Sequence, residues 1–69
     1  MSHSAAPTLE LDMAIAVARG FCLGDDPLAW SDDAIASTAD AISEAGSVDR
    51  DRLALSLVFE REATKRRRH

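Results

Sequence analysis

The chain has 69 residues, 46% of them apolar, with a formal charge of −4. That length allows one domain and excludes a multi-domain enzyme, and the apolar content excludes the low-hydrophobicity, high-charge signature of a disordered chain. One cysteine, Cys22, excludes an internal disulfide and a cysteine-based zinc centre, and no apolar run reaches the roughly 18 residues of a membrane span.

Thirteen alanines against six valines and isoleucines point to helix, because alanine is the best helix former and β-branched residues favour strands. The expected fold is all-α: a small three-helix bundle, or a helical hairpin with a longer C-terminal helix. Residues 1–7 form a polar lead without periodicity, expected to be flexible. Residues 8–69 are expected to form a single helical domain, with helices over about 8–22, 32–45 and 49–67.

The first helix is expected to start near Thr8 as cap and to end at Gly24. Leu11, Ile15, Ala18 and Cys22 then form one stripe, and Leu9, Met13, Ala16, Val17 and Gly20 form another. A helix apolar almost all round is normally covered on several sides, and two short partners can hardly cover it. In the connection, Asp26 caps a turn opened by Pro27. Leu28 and Trp30 are expected to fold back on the core, with Trp30 as the structural anchor.

The second helix is punctuated by Ser31 as N-cap, Asp32 and Asp33 in the first turn, and Gly46 after the last. Its inner face is Ile35, Ala39, Ile42 and Ala45; its outer face is Ser37, Asp40, Ser43 and Glu44. The third helix opens near Ser47 or Asp49. Leu53, Leu55, Leu57 and Phe59 alternate as a strand would, but helix-forming flanks decide for a helix. Its apolar positions from Leu53 to Phe59 cover roughly 240° of the helix surface, more than one packing face needs.

Charge divides along the chain. Residues 1–48 hold eight acids and one base, Arg19, whereas residues 49–69 hold seven bases and four acids. Lys65, Arg66, Arg67 and Arg68 are therefore candidate electrostatic contacts, although bases at a helix C-terminus also answer the macrodipole. Asp25, Asp26, Asp32 and Asp33 lack the alternate spacing and central glycine of a calcium loop. Residues 23–28 faintly resemble the prosthetic-group site of acyl carrier proteins, but Pro27 stands where the attachment serine belongs, which excludes that chemistry. Cys22 has no histidine beside it in sequence and reads as a small core residue. Histidines occur only as His3 and His69. No catalytic residue, cofactor or metal ligand, and no small-molecule substrate, is therefore expected.

What remains is surface. A chain this short buries only about 60% of the area its unfolded form exposes, and exposed apolar patches mark interfaces. The sequence predicts a non-enzymatic protein that binds another protein or its own copy through one apolar face of the first and third helices. That face comprises Leu9, Met13, Val17, Leu55, Val58 and Phe59. A regulator, a binding-type inhibitor and a small subunit of a larger assembly all fit; a homodimer is expected, as is a cytoplasmic location without membrane contact. The alternative is a dimeric helix-turn-helix DNA binder using residues 41–52 and the basic tail. The acids Asp49 and Asp51 disfavour it at the start of a recognition helix.

Overall fold

A computed structural model describes residues 5–46 and 48–68, with side chains from Glu10 onward. It is all-α, a small bundle of three helices: α1 (Ala5–Val17), α2 (Asp32–Glu44) and α3 (Arg50–Arg68). Both α1 and α2 pack on α3, but they scarcely touch each other. The longest helix is thus the shared wall against which both shorter helices pack.

The core runs along one side of α3. Leu53 and Leu57 have 0% exposure and meet Ile35 and Ala39 of α2, Ala14 and Ala18 from the α1 segment, and Trp30 from the connection. Leu55 and Phe59, each 70% exposed, point away. The alternation that mimics a strand is therefore a helix whose i, i+4 pair is buried and whose intervening pair faces water.

α1 begins three residues before the expected Thr8, so residues 5–7 belong to the helix rather than to a flexible lead; residues 1–4 lie outside the described residues. Ala5 and Ala6 are strong helix formers, and a proline is tolerated in a first turn, where its missing N–H has no intrahelical partner. The helix does not stop at Val17 but widens into a π turn over Ala18–Cys22, closed by the Leu23 N–H donating to the Ala18 carbonyl. An i→i+5 bond inserts one residue into the turn. Leu23, not Cys22, consequently lies under Ala18 and reaches the core, and Cys22 is exposed. This corrects the expectation of a core cysteine. Gly24, with φ 88°, ends the segment as expected.

In the connection, Asp26 accepts a hydrogen bond from the Leu28 N–H at 3.2 Å and caps a short 3₁₀ turn over Pro27–Ala29. Pro27 is buried there and Leu28 faces outward, the reverse of the expectation for Leu28. Trp30 is buried and its Nε1–H donates to the Gly24 carbonyl at 3.3 Å, so the ring anchors the loop on which it sits.

α2 follows its punctuation closely. Ser31 Oγ accepts from the Ala34 N–H at 3.1 Å. Past the helix end, Ala45 and Gly46 N–H groups donate to the Ile42 and Ser43 carbonyls, with Gly46 at φ 86°. Such a close needs a left-handed residue, the conformation glycine adopts without steric cost. Ile35 and Ala39 are buried and Ile42 is half-buried, but Ala45 is exposed because the helix end runs past the core. Asp49 opens α3 by accepting from the Asp51 and Arg52 N–H groups at 2.9 and 3.3 Å.

Candidate functional site

The apolar residues singled out in the sequence do not form one face. Met13 and Val17, exposed on α1, line a groove of about 600 Å³ between α1 and the end of α2, with Ala41, Ile42, Ala45 and Gly46 as its opposite wall. Leu55 and Phe59 lie across α1 from it, where they form a shallower concavity with Ile15 and Ser56. The physical reason is the orientation of α1. Its buried residues, Ala14 and Ala18, face α3, which sends Met13 and Val17 to one flank and Ile15 to the other. Val58 is half-buried against the core and adds packing more than exposed surface. The side chain of Leu9 lies outside the described residues.

Two contributors escape the sequence argument. Phe21 is 87% exposed, because the π turn swings it outward; an aromatic between Gly20 and Gly24 was the only hint. Ala41 is too small to stand out in a hydrophobic stripe, yet with Ala45, expected on the inner face of α2, it lines the groove.

Most charge is satisfied within the chain. Lys65 pairs with Glu62 at 3.4 Å, Arg67 with Glu60 at 3.7 Å, and Arg68 with Asp26 at 3.5 Å. Arg19 reaches Glu60 at 3.7 Å from α1. Two of these tail pairs lie within α3 and only Arg68 reaches another element, and exposed pairs of this kind contribute little to stability. Arg66 has no ion-pair partner among the described residues.

Arg61 is different. Its side chain is only 16% exposed, it pairs with Asp32 at 2.8 Å, and it donates to the Trp30 carbonyl at 3.1 Å. It joins α3 to the start of α2 at the point where the tryptophan enters the core. Its Nε is buried without a hydrogen-bond partner among the described residues; the nearest carboxylate, Glu62, stands 3.9 Å away.

At the start of α3, Arg50 donates to Asp40 at 2.6 Å and to Asp51 at 3.1 Å. The bond to Asp40, and secondarily that to Asp51, raises the guanidinium pKa above its ordinary value. A base meant for a recognition helix is thus tied back to α2, and Arg52 is the one base of that first turn without an ion-pair partner among the described residues. No group of three or more His, Cys, Asp or Glu among the described residues is placed to hold a metal ion. No helix among them is long and apolar enough to cross a membrane. Compared with protein-family models, curated proteins and solved structures, the chain matches none of them.

Proposed function

We propose that this protein works by binding another protein chain through the apolar surfaces flanking α1, as a regulator, a binding-type inhibitor or a small subunit, and that it catalyses no reaction itself. One observation carries the reading. With the core of α3 complete, the fold still leaves Met13, Val17, Phe21, Leu55 and Phe59 exposed. Single exposed apolar residues are ordinary, but Met13 and Val17 share one concavity and Leu55 and Phe59 another, and such grouping is the usual mark of an interface. An aliphatic groove with few polar groups suits a helix laid into it better than a reacting substrate. Protein binding stands above DNA binding because the bases a DNA reading needs are mostly neutralised within the chain: Arg50 by Asp40, and the tail by Glu60, Glu62 and Asp26.

Site-specific photo-crosslinking in cells that make the protein tests this. A crosslinker at position 17 or 59 is expected to capture a discrete protein adduct, and one at exposed Ser37 on α2 is not. No adduct at 17 and 59, or equal capture at all three positions, would overturn the reading.

A further inference from the structure

The unpaired charges carry information that the paired ones do not. Among the described residues, the bases without an ion-pair partner are Arg52 and Arg66; the acids without one are Glu10, Asp12, Asp25, Asp33, Glu44 and Asp49. All of the acids except Asp49 lie in or before α2.

Both unpaired bases fall on one line of α3. At 100° per residue, Arg52, Leu55, Phe59 and Arg66 lie within an arc of about 60° on the face opposite Leu53 and Leu57. The outer face of α3 is thus a ridge: two exposed apolar side chains flanked, about 21 Å apart along the axis, by two uncompensated arginines. Glu62, at the edge of this arc, is occupied by Lys65. The groove has the opposite character. Its floor is aliphatic, and Glu10, without an ion-pair partner among the described residues, stands on the α1 wall. The carbonyl end of α2, which carries partial negative charge, closes it at Gly46.

We infer that the groove between α1 and α2 receives the outer face of α3 of a second copy of this chain. Leu55 and Phe59 enter against Met13, Val17 and Ile42, and the flanking arginines bring positive charge to Glu10 and to the carbonyl end of α2. The contact joins two different surfaces, so it closes either as a reciprocal dimer or as a ring, or it propagates as a filament. Groove against groove would set acid on acid, and ridge against ridge would set arginine on arginine; charge selects the mixed contact. The inference rests on the protein-binding reading above, and its test involves purified protein alone, so a failure here leaves the crosslinking result to be judged separately.

The test measures mass by sedimentation equilibrium over a concentration series. The natural chain is expected to associate. Met13→Lys in the groove and Phe59→Glu on the ridge, both at exposed positions (65% and 70%), are each expected to weaken association by roughly thirtyfold or more, as loss of a central anchor does. Their thermal transitions should stay close to that of the natural chain. An equimolar mixture of the two variants is expected to form a 1:1 dimer, because each retains the surface that the other lost. Paired reversal, Arg52→Glu with Arg66→Glu, should weaken association about three- to tenfold and be partly rescued by mixing with Glu10→Lys protein. Cys22, on the groove wall, supplies a second readout: its reaction with a thiol reagent should slow as the natural chain is concentrated, but not in Phe59→Glu. A natural chain that stays monomeric near millimolar concentration overturns the inference. So does either single variant that associates unaided, or a mixture that stays monomeric.

Discussion

α1 and α2 are both thirteen residues long and both lie on α3, yet they use their sequences in different ways. α2 has a serine cap, acids in its first turn, a glycine after its last, and one apolar face whose leading residues are buried. α1 is apolar around most of its circumference, and together with the π turn that extends it commits only alanines, Ala14 and Ala18, to the buried core. The larger side chains on its flanks are half-buried or exposed. Close approach through alanines brings α1 near α3 but leaves Met13 and Val17 without cover. A helix with one apolar face has one place to go, whereas a helix with several can satisfy one and offer the others to a partner. The first kind builds the fold here, and the second supplies the surface.

Single substitutions can break or sharpen that contrast. Ile35→Ala in α2 removes a buried anchor and is expected to cost about 2–5 kcal/mol in unfolding free energy, whereas Val17→Ala in α1 should stay within about 0.5 kcal/mol. Comparable losses by denaturant titration would show that α1 is as deeply committed to the core as α2. Arg61→Met comes next. It leaves the Trp30 carbonyl without its donor and Asp32 without its partner, for an expected loss of about 1–3 kcal/mol; Arg66→Met, at an exposed base, should change stability by less than about 0.5 kcal/mol. Equal thermal shifts for the two would reduce Arg61 to one more surface charge. Ser31→Ala should cost about 1 kcal/mol through loss of the cap on the Ala34 N–H, with faster amide exchange confined to the first turn of α2. Faster exchange spread over α1 as well would mean that the two helices unfold as one unit.

The inner face of α3 was legible for a simple reason. Leu53 and Leu57 are four residues apart, and the flanking Asp49–Arg52 and Glu60–Arg68 stretches leave no alternative to helix. Trp30 was legible as the anchor because the largest apolar side chain of a small chain has few other places to go. The site was legible only in part. Met13, Val17, Leu55 and Phe59 were read as surface, but their division between two sides of α1 depends on how that helix is rotated about its own axis. An all-round apolar pattern does not specify that rotation. Val58 illustrates the same ambiguity in α3, where it lies at the edge of the buried arc and tips inward.

The sequence by itself determined the helical class, the order of the helices, the stops at Gly24 and Gly46, and the excess of apolar surface over what so short a chain can bury. These follow from local propensity, backbone freedom and residue counts, which need no knowledge of distant neighbours. Tertiary structure decided the rest: the π turn that exchanges Cys22 for Leu23 in the core, the separation of groove from ridge, and the pairing that, among the described residues, neutralises most of the basic tail and leaves Arg52 and Arg66 without a partner. The groove and the Arg68–Asp26 pair depend on residues that meet across tens of positions in the chain. Such meetings are set by the packing of whole helices, so no local pattern could have announced them.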